Sequence, residues 1–161
     1  MNKDELLKIY SAYLPYGLLI ETRTDEEIKT EGSYISKLTG VDHLGLHDEF
    51  ANCWEFEVRP ILYDLSYLTK EIEHGGEKFV PIVELLKIKY PNQKGRYATT
   101  EYSTFGYPFA CFSVDAGKQI KVNTSYLLEE PFWIFQKITE WHFNAFNLPE
   151  DQFINKATLK Q

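Results

Sequence analysis

A chain of 161 residues with 43% hydrophobic side chains carries enough apolar material for one globular core without disulfide or metal staples. An aromatic content of 16%, mostly 11 Tyr and 11 Phe, excludes a disordered segment. Lys and Arg number 17 against 24 Asp and Glu, and the resulting charge of −7 opposes a general attraction to nucleic acid or to anionic membranes.

Taken in chain order, residues 4–14 place Leu6, Tyr10 and Tyr13 at helical spacing, and Pro15-Tyr16-Gly17 stops that helix. Residues 18–22 suit a short strand, 23–27 a polar turn and 28–30 a return strand. Residues 33–39 read as a helical turn ended by Gly40, and 41–51, which has no clean period, as a loop. Residues 53–58 alternate, with Trp54, Phe56 and Val58 on one side, as a half-buried strand does. Asp64 is placed to cap a helix through Leu65, Leu68 and Ile72 that ends at Gly75-Gly76. Pro81 opens a further helix over 81–89, since proline is tolerated in a first turn. Residues 96–102 are strand-like, and 109–114 with 119–122, joined by Asp115-Ala-Gly-Lys118, form the best hairpin signal in the chain.

The aromatic run PFWIFQKITEWHFNAFNL over 131–148 predicts a long amphipathic helix. At about 100° per residue, Ile134, Ile138, Trp141 and Ala145 share one stripe, widened by Phe135, His142 and Phe146. Gln136, Lys137, Glu140 and Asn144 occupy the opposite arc, and Trp133 falls among them, outside the core stripe. With no repeat, linker or steady β-α-β rhythm, the reading is α+β. It is a single domain over 1–151, mainly an antiparallel sheet covered by helices, with 152–161 as a candidate loose tail.

Cys53 and Cys111 follow an acidic start, MNKDELLK, with no apolar signal core behind it. That combination predicts a cytoplasmic protein whose cysteines are thiols rather than a disulfide. Apolar runs such as 107–114 are too short to span a bilayer, so no membrane partner is expected.

Asp42-His43-Leu-Gly-Leu-His47-Asp48-Glu49 gathers two imidazoles and three carboxylates, with Cys53 six residues beyond His47. On a helix, the H-x3-H spacing would turn both imidazoles to one face as a zinc pair, and Cys53 or a carboxylate would supply a third ligand to a metal-dependent hydrolase. Gly45 in the middle opposes that helix, and Leu44 stands where a metalloprotease has its glutamate; the rival reading is a polar surface loop. His142 lies on the apolar stripe, where a core histidine is the simpler reading than a catalytic base. No Walker pattern, dinucleotide glycines, nucleophile elbow or cysteine signature occurs, so no cofactor and no nucleophilic catalysis are expected. Glu27-Ile28-Lys29 matches an E-x-K pattern of metal-dependent nucleases, at a length that arises by chance. Lys87, Lys89, Lys94 and Arg96, interleaved with Tyr90 and Tyr97, could grip phosphates and stack on bases, which makes nucleic-acid binding a third reading. The net charge and the lack of a nucleic-acid motif oppose it.

RPILYDLSYLTKEI over 59–72 with GEKFVP over 76–81, YLPYGL over 13–18, FWIFQK over 132–137 and EWHF over 140–143 together resemble a group of short uncharacterised proteins from Bacteroidetes genomes and their phages. The resemblance implies a cytoplasmic protein carried by a phage or mobile element. It transfers no catalytic residue. The leading expectation is therefore a small non-enzymatic accessory protein that binds a host or phage protein, or a second copy of itself. Trp133 is the anchor, with Lys137 and Glu140 beside it, because Trp is favoured at interface centres.

Overall fold

The computed structural model describes residues 3–22, 33–50, 53–54, 58–91, 98–104, 107–114, 118–122 and 130–159, with backbone alone for 53–54 and for the three stretches between 98 and 122. The elements begin with α1 (Lys3–Tyr13), β1 (Leu19–Thr22), β2 (Tyr34–Val41), β3 (Leu46–Asp48), β4 (Cys53–Trp54) and β5 (Arg59–Leu62). They continue with β6 (Ile72–His74), β7 (Glu77–Phe79), α2 (Pro81–Lys89), β8 (Ala98–Thr104), β9 (Tyr107–Val114) and β10 (Lys118–Val122). The last are α3 (Phe132–Glu140) and β11 (Ile154–Asn155). The class is α+β, and no described helix is long and apolar enough to cross a membrane.

The chain divides into two compact units, Met1–Tyr63 together with Phe146–Gln161, and Asp64–Ala145. In the first, Asp4 and Glu5 sit in the opening turn of α1, where carboxylates complement the helix dipole. Ile9, Tyr10 and Tyr13 are its buried face. The Tyr10 hydroxyl donates to the Val58 carbonyl at 2.7 Å, and burial pushes this phenol well above its ordinary range. After the 3-10 turn Leu14–Tyr16, Gly17 takes φ 68, a left-handed conformation that glycine enters without a Cβ clash.

The sheet of this unit runs β11-β5-β1-β2-β3-β4, with only β11 parallel to its neighbour. Residues 34–41 are a strand, not the helical turn expected. Ser36 and Leu38 are buried while Ile35, Lys37 and Thr39 are exposed, a period of two. Pairing from Leu19↔Lys37 to Thr22↔Tyr34 satisfies the backbone across a ladder, which a single isolated helical turn cannot match. Leu46–Asp48 is likewise a strand inside the expected loop, paired to β2 through a register shift at Leu38/Gly40. The return strand expected over 28–30 lies outside the described residues. Residues 152–159 are not a loose tail: Phe153 is 5% exposed within the cluster of Ile9, Tyr10, Tyr13, Leu18, Ile20 and Leu62. Ile154 pairs with Ile61, and Asn155 caps the final 3-10 turn through Ala157 N at 3.1 Å.

In the second unit Asp64 is a cap, as its place before the apolar run requires, accepting from Ser66 N at 2.9 Å. It opens a 3-10 turn over Leu65–Thr69, and the β6–β7 hairpin comes next, in place of a helix to Gly75. The reason is the Gly75-Gly76 pair, whose φ values of 62 and 82 suit a tight two-residue turn. Helix α2 occupies the expected 81–89, with Ile82, Leu85 and Leu86 buried. Strands β10-β9-β8 form an antiparallel sheet, in register from Lys118↔Val114 to Val122↔Ala110 for the expected hairpin.

Helix α3 buries Ile134 and Ile138, and Trp141 beyond it, as the stripe requires, but it ends at Glu140 instead of running to 148. Phe143 N bonds the Ile138 carbonyl and His142 N the Thr139 carbonyl, both at 3.0 Å, with His142 at φ 60. This is a Schellman cap, and Ile138 and Phe143, the two positions at which such caps commonly carry apolar residues, are both fully buried. The aromatics of 131–148 thus serve a helix and an irregular segment, not one long helix.

Phe153→Ala should destabilise the first unit by about 3–5 kcal/mol through the cavity it leaves, a loss that urea unfolding followed by the β1–β2 amide signals would read.

Candidate binding surface

Helix α3 presents two flanks outside its buried stripe. On one, Phe132 is 70% exposed and stacks on Phe135 with ring centroids 6.2 Å apart and planes 18° from parallel. On the other, Trp133 is half-buried, and Lys137 bonds both carboxylate oxygens of Glu140 at 2.8 Å. The three residues that the sequence marks as a binding flank therefore lie on one side of one helix. The most exposed ring of the helix is not Trp133 but its neighbour. Phe132 stands about 160° from Ile134 on a helical wheel, so the geometry that isolates Trp133 also isolates Phe132.

The end of α2 adjoins the start of α3 through Lys89, whose Nζ lies 2.8 Å from the Glu130 carboxylate and 5.9 Å from the Tyr90 ring centroid. Ile88 beside it is 48% exposed. Lys87 pairs with Glu84 on the same helix. Both described lysines of the basic stretch thus already hold carboxylates, and a phosphate would have to displace them. Lys94, Arg96 and Tyr97 lie outside the described residues.

The metal reading required His43 and His47 on one helical face. Instead His43 is an exposed residue of a bend, its carbonyl accepting from Lys3 Nζ at 2.8 Å, and His47 belongs to β3. His47 Nε2 lies 3.0 Å from Asp42 Oδ2, while Asp42 Oδ1 accepts from Leu44 N at 2.7 Å and Gly45 N at 3.2 Å. Asp42 is therefore committed to shaping the turn. The hydrogen bond from Leu44 N, followed by that from His47, holds its carboxyl below the usual range. Gly40 gives His47 its place, since a Cβ there would come within 3.3 Å of the His47 Cβ and Cδ2. The Cα of Cys53 pairs across the sheet with that of His47, and its side chain lies outside the described part. Among the described residues no three His, Cys, Asp or Glu side chains gather in a way that could hold a metal.

His142 is buried, as the apolar stripe requires, and meets a second imidazole that the sequence does not point to. His74 lies edge to face with it, centroids 5.1 Å apart, and Phe79 packs on Trp141 alongside at 5.1 Å. The two histidines are too far apart in sequence for spacing to pair them.

Because the folded Asp42 carboxyl sits below its ordinary range, its share of stability is complete above about pH 4 and is lost as pH falls through the lowered value. Amide exchange at Leu44 and Gly45, corrected for its intrinsic rate, should therefore accelerate on acidification below about pH 4. Asp42→Asn, which keeps an acceptor but no titration, should show no such step.

Comparison with protein-family models, curated proteins and solved structures yields no match to this chain, so the surface on α3 and α2 is read from its own geometry.

Proposed function

We propose that this chain is a small cytoplasmic accessory protein, of phage or mobile-element type, that acts by binding another protein through the outer flanks of α3 and carries no catalysis of its own. The observation that carries the reading is Phe132, a large apolar ring 70% exposed at the start of a packed helix. Stacking on Phe135 holds it in place, so little side-chain freedom is left to lose when a partner covers it. Covering one such ring contributes about 1.5–3 kcal/mol, and half-buried Trp133 has further ring area to give. The surrounding charges are internally paired, Lys89 with Glu130 and Lys137 with Glu140, so the surface offers an apolar centre with a neutral rim. That pattern supports a protein partner over a polyanion.

Phe132→Ser should leave the thermal midpoint nearly unchanged, within the about 0.5 kcal/mol typical of surface sites, while weakening partner binding about tenfold or more. A photoreactive amino acid at position 132, used in the native cell, should give a discrete adduct that the same group at exposed Lys70 does not. Sedimentation velocity distinguishes a second copy from another protein as that partner. No adduct from position 132 together with a purely monomeric protein would remove the reading.

A further inference from the structure

Strand β11 fixes the position of the residue that follows it. Parallel pairing of Ile154 with Ile61 and of Asn155 with Leu62 brings the next residue of each segment, Lys156 and Tyr63, side by side. Asn155 then locks the turn, its side chain accepting from Ala157 N at 3.1 Å and its carbonyl from Thr158 Oγ1 at 2.8 Å. Lys156 is half-buried there, with Nζ over the buried Tyr63 ring, 5.1 Å from its centroid.

Other lysines of the chain are compensated differently. Lys87, Lys89 and Lys137 each hold a carboxylate, and Lys3 donates to the His43 carbonyl. Among the described residues no carboxylate pairs with Lys156. Its ammonium gives up water without gaining a counter-charge. A ring face attracts a cation less strongly than a carboxylate at the same depth, and burial holds this ammonium below the ordinary lysine range. Only the neutral amine has a lone pair with which to attack, and an ordinary lysine presents about one such amine in a thousand near neutral pH.

We propose that Lys156 is an acylation site, whose neutral Nζ takes the acyl group of a thioester. A thioester survives in neutral water yet yields to a free amine, so it selects for a lysine in this setting. The Nζ lone pair forms the new C–N bond at the thioester carbonyl, the C–S bond breaks, the thiolate leaves with the electron pair, and the surplus proton of the nitrogen passes to solvent. The product is a neutral amide, which cancels the charge over Tyr63 in the segment that closes the first unit. The site belongs to the first unit and is independent of the binding surface on α3.

Acetyl-coenzyme A is the probe, applied to the full chain at about pH 7.5, with acetylation of each lysine followed by peptide mass spectrometry. Lys156 should react about fivefold or more faster than Lys70 and Lys78, both exposed. Lys70 controls for the ring, since its Nζ lies 4.3 Å from the Tyr67 centroid without the burial. The rate at Lys156 should also level off at a lower pH than the rates at the other two. In about 8 M urea the three should react alike, because the advantage belongs to the fold. Lys156 reacting no faster than Lys70 and Lys78 in the folded chain would overturn the proposal. So would a pH profile shared by all three, or an advantage that survives in urea.

Discussion

The first unit depends on the C-terminal segment coming back. Strand β5 would otherwise be an edge, and the cluster around Tyr10, Tyr13 and Leu62 would lack Phe153 and Leu148, both buried there. Parallel pairing of β11 with β5 cannot be made by a tight turn and needs a long crossover. Here the crossover contains the whole second unit, Asp64–Ala145. The first unit is thus closed by residues that follow the second unit, and its stability is tied to a ladder of two residues supported by apolar packing. That packing is the larger contribution, since burying Phe153 and Leu148 together contributes about 3–6 kcal/mol against about 1–3 kcal/mol for two net hydrogen bonds.

In the second unit the corresponding constraint is the end of α3. The Schellman cap turns the chain at His142, with Phe143 fully buried just beyond it, and ends the helix well before the end of the aromatic run. The same bend that stops the helix places an imidazole beside His74, so backbone termination and the histidine contact share one residue. The other end of α3 differs in kind. Phe132 and Trp133 precede the buried stripe and lie off it, which leaves one ring exposed and the other half-buried. One short helix therefore carries an inward, polar-linked end and an outward, apolar one.

The charges near α3 show why composition alone misleads about a local basic stretch. Lys87 and Lys89 look uncommitted in the sequence, yet Glu84 lies one helical turn before Lys87, and Glu130, more than forty residues on, faces Lys89. The Glu84 partner is legible from the i,i+3 spacing. The Glu130 partner emerges only from how α2 and α3 lie within the unit.

Local chemistry determined a good part of this protein without any tertiary information. Pro81 and the spacing of Ile82, Leu85 and Leu86 specify α2, Asp64 specifies the cap of the 3-10 turn over Leu65–Thr69, and the 3.6-residue period specifies which face of α3 is buried, because each of these interactions spans at most a few residues. The proposed binding surface was legible to the same extent: the wheel set Trp133, Lys137 and Glu140 to one side, and the same rule places Phe132 off the buried stripe on the other. The strands over 34–41 and 46–48, the return of Phe153, the fate of His43 and His47, and the meeting of His74 with His142 were decided by the tertiary structure alone. The physical reason is common to them. A strand, a closing segment or a pair of imidazoles gains its energy from partners distant in sequence, and no periodicity within a short window records where those partners will be.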